Sequence, residues 1–248
     1  FSIIATFELA GRSRGGKGLF GWLKKLPWKD ARFFTAFVAM VMFIPGGAGG
    51  IINSSYQLNQ IVHNTWFVTG HFHITIGTVV ILTFFAVSYW LIPVLTKRAL
   101  TKRLHRLAIF QAILWLIGMV LMGIVMHFSG LTGAPRRTAY STYGDHELAL
   151  SWLSYGQVIG IGGVVLFISI LLVLYIWANL LFFAPKSEKT IEYPIGVVYE
   201  KAAKPPKILE RWSVWIGVSI ALSIIAYAVP IYQLIVNNDP GSIPFRSW

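Results

Sequence analysis

Apolar residues come in five long blocks separated by short polar or basic stretches, over about residues 33–52, 66–95, 107–127, 153–183 and 212–236. Each reaches the roughly 20 residues that an α-helix needs to cross a bilayer. The pattern predicts an all-α integral membrane protein with five full transmembrane helices. Residues 1–10 are also apolar but too few to span, and they read as the cytoplasmic end of a sixth helix whose remainder precedes the chain. The fourth block is the longest, which predicts tilt or extension beyond the bilayer. The first carries Pro45 and the run Gly46-Gly47-Ala48-Gly49-Gly50, which lets either another helix or a planar cofactor approach the backbone closely. Trp66, Trp90, Trp152, Tyr155, Trp212 and Trp215 sit near block ends, as interfacial anchors do. No break in composition divides the chain, so residues 1–248 read as one transmembrane domain.

Composition agrees with this pattern: 56% hydrophobic, 12% charged, mean hydropathy +0.65. The net charge of +12 would suit a nucleic-acid binder, but its placement argues for topology instead. All but three of the 21 Lys and Arg residues fall in three segments, 12–32, 97–106 and 186–211. These alternate with the spans, so the positive-inside rule puts them in the cytoplasm. With no cysteine there is neither a disulfide framework nor a thiolate metal site. No secretory signal is visible, because residues 1–10 lack a basic leader and run directly into a basic loop. The last basic segment, with Pro194, Pro205 and Pro206, reads as a solvated surface loop.

The second block opens on Trp66-Phe67-Val68-Thr69-Gly70-His71-Phe72-His73. Helical residues advance about 100° each, so His71 and His73 project to opposite sides and cannot chelate one ion together. Imidazoles at membrane depth are costly and mark function by default. One reading is a helix that gives one axial ligand to each of two metal centres. The other is two histidines hydrogen-bonded to neighbouring helices.

Arg136 and Arg137 break the charge rule by lying on the outer side after Pro135. An anion explains such an exception. The guanidinium fork matches a carboxylate such as a haem propionate, while Asp145 and Glu147 offer nearby salt-bridge partners. His63 and Asn64, just before the histidine helix, face the same outer layer. His105 falls among basic residues and reads as solvated, and His127 and His146 read as interfacial.

The run from His63 to His73 resembles the haem-ligand signature of the catalytic subunit of haem–copper oxygen reductases. Leu131-Thr132-Gly133-Ala134-Pro135-Arg136-Arg137 resembles the propionate loop of that family, and the glycine-rich run from Gly11 to Trp22 is similar to its B-type branch. The resemblance covers essentially the whole chain and corresponds to the C-terminal part of subunit I, within a bundle of twelve or more helices. It implies that His71 is the proximal ligand of a high-spin haem at the oxygen site and that His73 is an axial ligand of a low-spin haem. Phe72 would lie close to both, Arg136 and Arg137 would hold propionates, and His63 would border them.

The implied activity is that of a terminal respiratory oxidase of the cytochrome c oxidase type. It would reduce O2 to water with coupled proton translocation in a prokaryotic plasma membrane. The resemblance also implies a copper ion whose ligands lie outside this chain. The implied partners are the N-terminal half of subunit I, a subunit II carrying the electron-entry site, and cytochrome c or quinol as donor. Asn64 stands where the mitochondrial-type branch has an Asp that helps to bind magnesium, and Asn59 stands where B-type proteins carry an acidic residue. Both departures remove a carboxylate. A nitric oxide reductase with non-haem iron, a metal or proton transporter using His71 and His73, and a purely structural scaffold are the rival readings.

Overall fold

Every apolar block forms a helix. The computed structural model describes residues 2–137, 143–187 and 206–236. The proline-bearing stretch 188–205 and everything after 236 lie outside the described residues. Among those described there are no β-strands, only isolated bridges, and five helices are long and apolar enough to cross a membrane.

Helix α1 (Ser2–Ser13) precedes a basic turn. Helix α2 (Ala31–Ser54) begins where the Asp30 carboxylate accepts the Arg32 backbone N–H at 3.0 Å, which satisfies one otherwise unpaired donor of the first turn. A second donor, the Ala31 N–H, is capped from outside the helix by Nδ1 of His105 at 3.0 Å. His105 is thus half-buried at a helix end rather than solvated. The short α3 (Tyr56–Val62) follows.

The histidine span runs Trp66–Thr96 but is not uniform. Helix α4 (Trp66–Phe72) is capped by Thr65, whose hydroxyl accepts the Phe67 N–H at 3.2 Å. A π-helical segment, His73–Val80, follows, and then α5 (Ile81–Thr96). The wider π turns leave carbonyls for side chains. The Thr78 hydroxyl donates to the His73 carbonyl at 3.0 Å, and the Trp115 indole donates to Gly77 at 2.8 Å. Periodicity of apolar residues did not predict this segment. Such bulges recur at functional sites.

Helix α6 (Lys102–Leu131) carries most of the packing. It meets α7 (Glu147–Ser151) through the outer loop and lies along α8 (Leu153–Ala178), which ends in a π turn at Asn179–Phe183. Small residues set the approach: a Cβ on Gly118 would stand 2.9 Å from the Gly162 carbonyl, and the reverse substitution would meet Gly118 at the same distance. A buried polar chain then joins three helices. The Tyr89 hydroxyl donates to Gln111 Oε1 at 2.7 Å, and Gln111 Nε2 donates to the Ser169 hydroxyl at 2.9 Å. Ser169 returns its own proton to the Gln111 carbonyl at 2.9 Å. Each of the three side chains thus has a hydrogen-bond partner, as burial in an apolar bundle requires.

Residues 206–236 belong to a second unit. Its described part is a turn and helix α9 (Trp212–Val236), which contains Pro230. The long helices run over 31–54, 66–96, 102–131, 153–183 and 212–236, so α6 extends beyond residues 107–127 at both ends.

Candidate cofactor site

The site begins with the backbone between the two histidines. Phe72 has φ −67° and ψ −32°, and His73 has φ −63° and ψ −39°. Both are right-handed helical, so the opposite projection of His71 and His73 survives the onset of the π segment. The two rings are held differently. His73 Nδ1 lies 2.8 Å from the Thr69 carbonyl. A carbonyl only accepts, so Nδ1 carries the proton and Nε2 keeps its lone pair. That is how a protein presets an imidazole for a metal at Nε2.

His71 packs against α2. A Cβ on Gly49 would stand 2.9 Å from its Nδ1, and one on Gly50 would stand 3.4 Å from its Cε1. The glycine run therefore makes room for the His71 ring, in addition to letting helices approach. The Gly46 backbone also makes a hydrogen bond with this ring. Phe72 stands between the histidines, 48% exposed, with its ring centroid 5.6 Å from that of His71.

His127 joins the site from α6, a residue that sequence reasoning left as interfacial. Its Nδ1 donates to the Gly123 carbonyl at 2.6 Å, and its ring packs T-shaped against Phe67 with centroids 4.5 Å apart. Its Nε2 would lie 3.2 Å from a Gly49 Cβ, beside His71. Nothing in the sequence spacing of His127 says that α6 presses this residue against α4.

The arginine loop is strapped to the start of the histidine helix. Trp66 N–H donates to Ala134 at 2.9 Å, Thr65 and Pro135 form an antiparallel bridge, and Arg136 N–H donates to Asn64 at 2.9 Å. Asn64 and Arg137 adopt left-handed backbone conformations, φ 60° each. Arg136 is half-buried with an unpartnered Nε, while Arg137 and His63 are exposed. Among the described residues neither arginine pairs with Asp145 or Glu147, so the salt-bridge alternative has no support. His146 instead caps α7, accepting the Leu148 N–H at 3.2 Å.

Residues 1–165 match the family model described as "Cytochrome C and Quinol oxidase polypeptide I". The chain belongs to this family. Cytochrome c oxidase subunit 1 of Thermus thermophilus is 34% identical over 257 residues, covering 100% of this chain and 44% of that protein. A probable cytochrome c oxidase subunit 1-beta of Nocardia farcinica is 32% identical over 202 residues, covering 79% and 32%. A solved heme-copper terminal oxidase dimer is 30% identical with a TM-score of 0.66, covering 93% of this chain and 41% of that one. The chain thus spans less than half the length of these relatives.

Family membership implies haem and copper. Among the described residues no three His, Asp or Glu side chains converge, so His71 and His73 each offer a single ligand. A haem iron, whose ring supplies the equatorial ligands, suits such a donor. The preset Nε2 of His73, the glycine-cleared ring of His71 and the orphaned Arg136 Nε all fit that group.

Proposed function

We propose that this chain is part of the catalytic subunit of a terminal respiratory oxidase, with His73 an axial ligand of a low-spin haem and His71 the proximal ligand of a high-spin haem. The observation that carries the reading is the His73 Nδ1–H bond to Thr69, which leaves Nε2 free across the helix from His71. When bound, the haems supply electron transfer and oxygen chemistry, reducing O2 to water with coupled proton translocation.

The residues of this chain bind and orient. His71 and His73, projecting to opposite sides of one helix with Phe72 between, would each hold one haem. Arg136 and Arg137 neutralise propionates, and the strap to Asn64 holds their loop over the outer end of the helix. His63 borders the same layer.

The missing axial histidine and the copper ligands would come from the N-terminal half of subunit I, in the same polypeptide or a separate chain. Residues 1–248 would then be one transmembrane domain of the larger bundle. Subunit II would carry the electron-entry site, and cytochrome c or quinol would be the donor. The basic loops would face the cytoplasm of a prokaryotic plasma membrane.

The test is a reduced-minus-oxidised spectrum of the detergent-purified complex, followed by carbon monoxide. Two haem components are expected, with only one shifting on addition of the gas. A complex without haem absorption overturns the reading in favour of a transporter. Non-haem iron in place of copper in the purified complex would make it a nitric oxide reductase.

A further inference from the structure

We propose that Thr78 and Trp115 are positioning residues for His73: their hydrogen bonds to the His73 and Gly77 carbonyls hold the wide turns that follow this histidine and so fix the direction in which its ring projects. This rests on the reading of His73 as a haem ligand.

The bond made by Thr78 belongs to the π register. Thr75, Thr83 and Thr96 lie in the same span, and each hydroxyl donates four residues back, to His71, Val79 and Ile92 at 2.9, 2.7 and 2.8 Å. Thr78 reaches five back, to His73 at 3.0 Å. Four is the ordinary reach of a helical Thr, whereas five matches the i→i+5 spacing of a π turn. Thr78 is fully buried, so its hydroxyl would stand desolvated and unpaired without that carbonyl. The bond therefore favours the wide turn over α-geometry, starting at the histidine itself.

Helix α6 holds the same turns from the side. Trp115, Met119 and Gly123 follow one another at four-residue intervals and share one face. The Trp115 indole donates to the Gly77 carbonyl at 2.8 Å. A Cβ on Gly77 would stand 3.0 Å from the Met119 sulfur, and one on Gly123 would stand 2.6 Å from Cδ1 of Ile74. Trp115 also packs T-shaped against Phe85 of α5, with ring centroids 5.1 Å apart, so one side chain bridges the π segment and the helix after it. Reversion of His73–Val80 to α-geometry would turn His73 relative to α5 by on the order of 100°, one residue's worth of helical rotation. The Thr69 carbonyl fixes the ring on its helix, and Thr78 and Trp115 fix the turn of that helix against the bundle. Supports of this kind orient a ligand and tune its metal.

The experiment is electron paramagnetic resonance of the ferric low-spin haem in the complete purified complex, with the midpoint potential of that haem and carbon monoxide binding at the other. Thr78→Val keeps the branched shape and loses the hydroxyl, and Thr78→Ser keeps the hydroxyl. Trp115→Phe keeps a ring beside Phe85 and loses the N–H. The proposal expects shifted low-spin g values and a shifted midpoint potential in Thr78→Val and Trp115→Phe, parental values in Thr78→Ser, and unchanged carbon monoxide stoichiometry in all three. If either of the first two does not assemble, Thr78→Ala or Trp115→Leu is read the same way. Parental values in both Thr78→Val and Trp115→Phe overturn the proposal. Equal shifts in Thr78→Val and Thr78→Ser overturn it too, because packing rather than the hydroxyl would then hold the turn. His73→Leu reads the ligand assignment separately: a low-spin signal that survives it overturns that assignment, whatever the Thr78 variants show.

Discussion

The backbone N–H of Arg136 donates to the carbonyl of Asn64 at 2.9 Å, joining two segments 72 positions apart in the chain. With the neighbouring Trp66–Ala134 bond, it places Arg136 and Arg137 at the start of the helix that carries both histidines. The arginine loop and the histidine helix are thereby built as one unit. The strap needs Asn64 in a left-handed conformation, which Asn tolerates and β-branched residues do not.

Asn64→Val should accordingly strain the strap by about 1–2 kcal/mol, while Asn64→Gly should leave it intact. The check is thermal unfolding of the purified complex together with the midpoint potentials of its haems. A lower unfolding temperature and shifted potentials are expected in the Val variant only.

His71 and His73 should fail separately. Replacing His71 by Leu should abolish carbon monoxide binding and leave low-spin absorption in place, whereas His73→Leu should remove the low-spin component. Difference spectra of both variants decide this. Normal carbon monoxide binding in His71→Leu would contradict the ligand assignment.

The α2 glycines should differ sharply from one another. A Cβ on Gly49 meets His71 and His127 at 2.9 and 3.2 Å, whereas one on Gly47 meets nothing within 4 Å. Gly47→Ala should be neutral or stabilise by up to about 1 kcal/mol through helix propensity. Gly49→Ala should displace the His71 ring and broaden or shift the high-spin haem bands. Equal spectra for the two variants would show that the glycine cradle does not shape the site.

A pH effect is expected at the N-terminal end of α2. Burial alone would raise the Asp30 carboxyl, but hydrogen bonds and charge from Arg32 hold it below its ordinary value. A carboxyl lowered by folding stabilises the folded state above its ordinary value, and that contribution is lost as pH falls through the lowered one. The complex should therefore lose stability below about pH 4, and Asp30→Asn should flatten the acid limb. Unfolding temperatures from pH 6 to pH 3 test it. Identical acid limbs for the two proteins would remove Asp30 from the account.

Five spans and the opposed histidines were legible in the sequence because both depend on local rules: hydrophobic length against bilayer thickness, and 100° per helical residue. The arginine pair stood out for a similar reason, as a charge on the wrong side of a topological bias. Residue order also carried the family resemblance, since its motifs are contiguous. The π turns at His73–Val80, the capping of Ala31 by His105 and the place of His127 beside His71 were decided by tertiary structure. Each depends on which helix lies against which, and on where a missing Cβ allows two backbones to meet. Such contacts join residues far apart in the chain through packing, which no local period encodes.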